Sequence, residues 1–374
     1  MIALPLFILM GHVLAKTPIG RDLFHVASRW LSWLPGGLAI ASIGACTVFG
    51  AVSGVSIAGV AAVGGLAVPE MVNRGYSRSL AAGSVVTAGA LAMLIPPSVP
   101  FIIYSAVTGD SVAKLFIGGV VPGLALALLL SLFVLMRVLA RPQEAPAGSD
   151  MHFGWMERFA SLKRIWHAGL LIALVLGSIY SGVATPTEAS AVGAAGAFLI
   201  AGLAYRILNF KSIFNLLKES LRVSAAILII MACAKIFGDF LNMVRVPQRL
   251  SEFLLGLQVP AVVIVLIIMA LLIVLGMFVD AVSLIVVTTP ILIPLIVGLG
   301  YDSLWYGIVL VMNLELAVVT PPVGLNLYTL RGVCPFLSIE EIIRASVPFV
   351  VIQFFSLLIF ILFPGLALWL PGIL

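Results

Sequence analysis

Residues 94–98 read LIPPS and residues 318–326 read VVTPPVGLN, and their proline pairs, Pro96-Pro97 and Pro321-Pro322, stand 225 positions apart. Proline has no amide hydrogen and clashes with the turn before it, so two in succession unwind a helix and leave carbonyls one turn back without partners. Each pair interrupts an apolar stretch. Working outward at the same offset, Pro69 matches Pro294, Gly75-Tyr76 matches Gly300-Tyr301 and Pro35 matches Pro260, all without a gap. Four coincidences at one spacing, each at a helix break, mark two homologous halves, 1–140 and 223–374. The segment 141–222 between them reads as a polar linker, two spans and an interfacial helix.

The breaks come in corresponding pairs. In the first half, AVSGVS at 51–56 interrupts an apolar stretch of about 36–68, too long for one span and expected to be a re-entrant hairpin, while LIPPS interrupts a helix over 80–108. In the second half, GMFVDAVS at 276–283 interrupts a hairpin of about 260–298, and VVTPPVGLN interrupts a helix over 304–330. Repeats with helices broken near the bilayer midplane are the build of many secondary transporters.

Composition agrees. Of 374 residues 62% are hydrophobic and 9% charged, with a mean hydropathy of +1.25; a soluble domain carries about 25% charged residues. A water-soluble globule is excluded, and the expected class is an all-α polytopic membrane protein whose surroundings are lipid. The net charge of +5 reads as cytoplasmic loop bias and not as a nucleic-acid surface. Cys46, Cys233 and Cys334 lie far apart without disulfide or zinc-ligand spacing, as packing residues do. The opening MIALPLFILMGHVLA lacks a basic start and a cleavage site, and about 15 helical residues cover only about 22 Å. The first span is therefore expected to be truncated or continued by upstream sequence.

Positive charge orients the spans. Arg137, Arg141, Arg158, Lys163 and Arg164 crowd one linker, and Arg206, Lys211, Lys218 and Arg222 another; both belong inside. The apolar segments of about 165–182 and 189–206 between them meet at TPTE, which has no base and belongs outside. By the same count Arg74 and Arg78 lie inside, while the matching VGLGYDS carries Asp302 and no base, so the halves are expected to be inverted. Arg245 and Arg249 stand against the rule, since this scheme leaves them outside. Residues 16–33, 208–222 and 241–258 mix bases with large apolar residues at helical spacing and read as helices lying along the interface.

No HExxH, Walker loop or dinucleotide fingerprint occurs, and His12, His25, His152 and His167 are scattered. The expected energy source is an ion gradient or another subunit. Ser53, Gly54 and Ser56 place two hydroxyls around a glycine at a hairpin tip, where they read either as oxygen ligands for a hard cation or as small residues for close helix packing. Pro96, Pro97 and Ser98, and the run Thr320, Pro321, Pro322, Val323, Gly324, free carbonyls that are natural cation ligands. Ser98 and Asn326 add groups for a substrate, with packing the other reading of Asn326. Acids inside apolar stretches are functional until explained otherwise. Asp280 admits three readings: a direct cation ligand, a helix cap, or a brace for its loop. Glu315 is expected to pair with a base across the bundle, and Glu188, after Thr185-Pro186-Thr187, reads as a helix N-terminal signal.

Five stretches, GAVSGVSIAGVAAVGGLAVPEM, AMLIPPSVPFIIYSAVTGDSVAKLFIGGVVPG, IYSGVATPTEASAVGA, MFVDAVSLIVVTTPILIPL and MNLELAVVTPPVGLNLY, resemble in order the large membrane subunit of TRAP (tripartite ATP-independent periplasmic) transporters. The resemblance covers nearly the whole chain. It implies a sodium-coupled symporter of the bacterial inner membrane that imports an organic acid such as a dicarboxylate. Its partners would be a small membrane subunit and a periplasmic substrate-binding protein, and its cycle elevator-like, with hairpins and broken helices moving against a scaffold. It also implies cation sites at Ser53, Gly54 and Ser56 with Pro96 to Ser98, and at Asp280 with Thr320, Pro322, Gly324 and their neighbours. The family carries further membrane sequence before this chain's first residue, and often an acid in the first hairpin where this chain reads Ser56-Ile57-Ala58-Gly59. The rival readings are a stand-alone sodium- or proton-coupled carrier or antiporter of similar build and, in another class, a membrane-embedded enzyme using Asp280 and Glu315.

Overall fold

The computed structural model describes residues 2–146, 153–256 and 259–373, and among them it is helical with no strand. The end of the polar linker at 147–152, with His152, and the last two residues of the 241–258 segment lie outside the described residues. The first half comprises α1 (Ala3–Ala15), α2 (Ile19–Leu31), α3 (Gly37–Ser53), α4 (Ser56–Asn73), α5 (Arg78–Ala90), α6 (Val99–Thr108) and α7 (Val112–Ala140). The middle holds α8 (Trp155–Leu162), α9 (Trp166–Tyr180), α10 (Pro186–Leu199) and the start of α11 (Phe210–Met243). The second half follows with α12 (Val246–Gly256), α13 (Ala261–Gly276), α14 (Ala281–Gly298), α15 (Ser303–Val319), α16 (Leu325–Val333), α17 (Ile339–Leu362) and α18 (Gly365–Ile373). Six described helices are long and apolar enough to cross a bilayer, or eight if the bent pairs α1–α2 and α8–α9 each count once.

Local chemistry sets these boundaries. Ser77 and Asp302, 225 apart, cap α5 and α15 by accepting from amides in the first turn. Gly75 and Gly300, also 225 apart, turn the chain just ahead of those caps with positive φ. The offset extends to the elements themselves: α4 and α14 begin at 56 and 281 and end at 73 and 298, α5 and α15 begin at 78 and 303, and α6 and α16 end at 108 and 333. Packing follows the same exchange. The outer arm of the first hairpin, α4, rests on α16, and the outer arm of the second, α14, rests on α6. Each half thus braces its hairpin on the broken helix of the other.

The inner half of the first broken helix occupies the centre. Every residue of α5 from Leu80 to Ala90 is buried, and the sequence there is mostly Ala, Gly, Ser and Val. A Cβ on Gly83 would fall 2.4 Å from the Ala345 carbonyl oxygen of α17, so only glycine permits that approach. Small residues are what membrane helices use to pack, because lipid supplies little hydrophobic drive between them. Large apolar side chains point outward instead, Leu124, Leu128, Leu132 and Met136 of α7 among them.

Three expectations are corrected here. Residues 208–222 are not a separate interfacial helix: they are the first turns of the 34-residue α11, which Asn209 and Ser212 cap reciprocally and which meets no proline and no glycine before Gly238. At about 1.5 Å per residue α11 is about 51 Å long, so its basic start extends beyond a 30 Å core. The first hairpin continues to Asn73, because Pro69 lies within α4 without ending it, and the broken helices run over 78–108 and 303–333. The interfacial reading of 16–33 corresponds to α2, set at 67° to α1, and that of 241–258 to α12.

Opposite orientation of the halves has a direct check at Asn73 and Gly298, the exposed and equivalent ends of α4 and α14. In a background without Cys46, Cys233 and Cys334, Asn73→Cys should react with an impermeant thiol reagent only from the cytoplasmic side and Gly298→Cys only from the outside. Reaction of both from one side would rule out inversion.

Candidate functional site

The first hairpin tip is built by a glycine. Helix α3 ends at Ser53, Gly54 takes the left-handed conformation with φ of 64° and bonds its amide to the Gly50 carbonyl at 2.9 Å, and Val55 is extended before α4 starts at Ser56. No side chain caps α4, so its leading amides face the tip without a side-chain acceptor. Opposite lies the first break. A 3₁₀ turn over Leu91–Met93 ends α5, and Pro96 and Pro97, joined by a cis bond, supply no donor. Ser98 caps α6: its hydroxyl accepts from the Phe101 amide at 3.4 Å and donates to the Met93 carbonyl.

Tip and break touch. A Cβ on Gly54 would lie 2.3 Å from the Pro97 carbonyl oxygen, and one on Gly50 2.7 Å from the Ala92 Cα. From the far side Gly11 of α1 covers the tip, with its own missing Cβ 2.4 Å from the Ser53 carbonyl oxygen. Ser53 is buried and its hydroxyl has no partner among the described residues; Ser56 and Ser98 are buried too. The ends of α3, α4, α5 and α6 therefore bring hydroxyl and carbonyl oxygens together with the uncapped leading amides of α4. An orphaned hydroxyl in such a setting suits a hard monovalent cation.

The second tip meets the second break by a different bond. The amide of Val323 donates to the Met277 carbonyl at 3.2 Å, and Gly324 follows with φ of 44°. Pro321 and Pro322 are again joined by a cis bond, Thr320 donates its hydroxyl to the Leu316 carbonyl, and the Tyr328 hydroxyl donates to the Pro322 carbonyl at 3.3 Å. Asp280 caps α14: one carboxylate oxygen accepts from the Ser283 amide at 3.0 Å and the other from the Ser283 hydroxyl at 2.5 Å. Of its three readings the structure displays the cap. Asp280, Pro322 and Val323 are exposed, whereas the first site is closed.

Asn326 sits at the second residue of α16, buried, donating to the Val86 carbonyl of α5 at 3.2 Å, with no partner for its own carbonyl oxygen among the described residues. It ties the outer half of one broken helix to the inner half of the other. Glu315 does not find a base. It is 1% exposed, on a face of α15 enclosed by protein, and neither carboxyl oxygen has a partner among the described residues. Glu188 closes a capping box with Thr185, accepting its amide at 2.7 Å, which makes it the helix signal its position suggests. Two buried amides escaped the sequence reading. Asn313 donates to the Met269 carbonyl of α13 at 2.8 Å, and Gln353 to the Thr87 carbonyl of α5 at 3.5 Å. Their signal was a carboxamide inside an apolar run, the same that drew attention to Asn326.

The family model described as "Tripartite ATP-independent periplasmic transporter, DctM component" matches residues 1–366. The C4-dicarboxylate TRAP transporter large permease protein DctM of Pseudomonas aeruginosa is 36% identical, over all of this chain and 86% of the relative. Its namesake from Vibrio cholerae is 34% identical with the same coverage. The isethionate TRAP transporter permease protein DctMQ of Oleidesulfovibrio alaskensis is 36% identical over 99% of this chain, which spans 58% of that longer relative. Among solved structures, the YdaH transporter of Alcanivorax borkumensis superposes with a TM-score of 0.66 at 14% identity, covering 98% of this chain and 86% of that one, a likeness of fold.

The contact at the first tip yields a paired test. Gly54→Ala must hold a side chain at positive φ and displace the Pro97 carbonyl, and should lower thermal stability in detergent by on the order of 2 kcal/mol or more while abolishing uptake. Gly109→Ala, also at positive φ but with nothing within 4 Å of its Cβ, should cost only about 1 kcal/mol. Equal effects of the two would mean that the tip does not depend on the break.

Proposed function

The chain belongs to the DctM-component family of tripartite ATP-independent periplasmic transporters, and from that premise we propose that it couples import of an organic acid anion to sodium. As a member it is a multi-pass component of a bacterial inner-membrane transporter and not an enzyme. Its family describes a tripartite system, and the fused DctMQ relative supports a small membrane subunit as one partner. The other would be a periplasmic binding protein that delivers the substrate.

The observation that carries the coupling is the docking of both hairpin tips on proline-broken helices, where hydroxyl and carbonyl oxygens gather beside the backbone contacts. Sodium would sit among Ser53, Gly54, Ser56, Pro96 and Ser98 at the first, and among Asp280, Thr320, Pro322 and Gly324 at the second. The prolines supply no amide to the carbonyls one turn back, and although Met93 and Ala317 find other donors, the carbonyl dipoles at each break would oppose an approaching anion. With cations in place the sign of the field is offset, and each tip can close on its break. Ser98 and Asn326 stand at the starts of α6 and α16, beside two helix N-termini where an anionic carboxylate is favoured; the second N–H of the Asn326 amide, and the Ser98 hydroxyl if it leaves the Met93 carbonyl, would be the donors to it. The closed unit would carry its load across by sliding against the long lipid-facing helices, as an elevator does. A stand-alone carrier of similar build differs in one respect, since it would work without the binding protein.

Proteoliposomes holding this chain with its small subunit, supplied with loaded binding protein, measure the coupling. An inward sodium gradient should drive uptake, replacement by choline should bring it to background, and omission of the binding protein should do the same. Asp280→Asn keeps the cap but removes the charge, and should raise the half-saturating sodium concentration about threefold, on the order of 0.7 kcal/mol. Uptake that ignores sodium would overturn the coupling; an unchanged sodium dependence in the Asn variant would leave Asp280 as a cap alone.

A further inference from the structure

A cavity of about 610 Å³ lies between the end of α6, the second half of α11 and the middle of α14. It is separate from the tip contacts described above. Its walls are mostly apolar, with two polar regions facing each other. On α11, Lys235 and Asp239 stand one turn apart, Nζ to Oδ2 at 3.6 Å, in the otherwise apolar run 223–241. Lys235 lies 13 residues beyond Arg222, about 20 Å along the helix axis, so the pair falls in the far part of the hydrocarbon region, where charges persist only when compensated. A separation of 3.6 Å is too long for a hydrogen bond, so neither charge is saturated by the other.

On α14 the opposite wall is short of donors. Thr289 is fully buried and its hydroxyl has no partner among the described residues, although a helical threonine ordinarily bonds to the carbonyl one turn back. Pro290 and Pro294 lack the amide hydrogens that would reach the carbonyls of Val286 and Pro290. All of these residues line the cavity. The site therefore presents one cation and one carboxylate, both on the exposed rim, with Asn242, two backbone acceptors and one hydroxyl that has no partner among the described residues, along a mostly apolar wall. Ile236, Phe237 and Phe240, exposed on the same helix, offer lipid-facing surface beside it.

We propose that this cavity binds the headgroup of a zwitterionic phospholipid that carries a primary ammonium. The phosphate takes Lys235 and the Thr289 hydroxyl, and the ammonium donates to Asp239 and to the carbonyls of Val286 and Pro290. The acyl chains leave over the apolar wall and the neighbouring aromatic face of α11. Charge complementarity selects the class: a quaternary ammonium has no N–H for the carbonyls, and an anionic headgroup without an amine leaves Asp239 unmatched. A lipid there would lie between α11, the outer half of the first broken helix and the outer arm of the second hairpin, a position from which it can set how freely those elements move.

Native mass spectrometry of the full chain with its small subunit tests this. After exchange into an equimolar mixture of phosphatidylethanolamine, phosphatidylcholine and phosphatidylglycerol, the wild-type protein should retain phosphatidylethanolamine with about tenfold enrichment, on the order of 1.4 kcal/mol. The double variant Lys235→Gln, Asp239→Asn should show no enrichment. Asp239→Asn alone should retain phosphatidylglycerol as well as phosphatidylethanolamine, because the phosphate contact survives. Identical lipid retention in the wild type and double variant would overturn the proposal, as would equal retention of all three lipids by the wild type. Displacement of the lipid by a transported organic anion would overturn it too, by assigning the cavity to the substrate.

Discussion

A backbone amide or carbonyl inside a bilayer has no water to bond with, so every break in a membrane helix must be satisfied by protein or by something the protein binds. This chain creates two such breaks with proline pairs and places each against a hairpin tip. Much of the remaining architecture follows from that requirement. The broken helices need protein around them, and α5 is buried from Leu80 to Ala90 for that reason. The tips must reach the breaks closely, which is why Gly54 faces the Pro97 carbonyl and Gly11 the Ser53 carbonyl with no room for a Cβ. The hairpin arms must be held in place, and each leans on the broken helix of the opposite half.

The two breaks solve the same problem differently. At the first, α4 starts without a side-chain cap, and a buried serine hydroxyl is left without a partner. At the second, position 280, the equivalent of Val55, is an aspartate that caps α14, and a backbone bond from Val323 to Met277 fastens tip to break. A closed site with an unmet hydroxyl and an open site with a carboxylate are not interchangeable. The first relies on dipoles and carbonyls, whereas the second adds a full charge near solvent. Cations at the two proposed sites would meet different surroundings and so bind with different strengths.

Much of this was readable in the sequence because proline and glycine act locally. The pairs at 96 and 321, the glycines at 75 and 300 and the caps at 77 and 302 impose their geometry whatever surrounds them, so the offset of 225 reappears in the helix boundaries. Contacts between distant segments were not readable. That Gly54 meets Pro97 depends on how α3 packs on α5, and that Val323 bonds Met277 depends on the pairing of α13 with α15. The reading of 208–222 as a separate helix failed because a change from basic to apolar composition is not a break; without proline or glycine the helix continues. Glu315 was expected to find a base because buried charge is costly, yet among the described residues no base reaches it. The same cost can be avoided when a carboxyl carries no charge, and composition does not distinguish the two cases.

Sodium binding at the docked tips, as proposed, is read from thermal unfolding of the purified protein in sodium chloride against potassium chloride at equal ionic strength. A ligand held only by the folded form stabilises it by about 2.7 kcal/mol at a hundred times its dissociation constant. The account predicts a transition temperature that rises with sodium and saturates, with a much smaller rise in potassium, and a sodium response largely lost in Gly54→Ala. Identical transitions in the two salts, across the same concentrations, would contradict it.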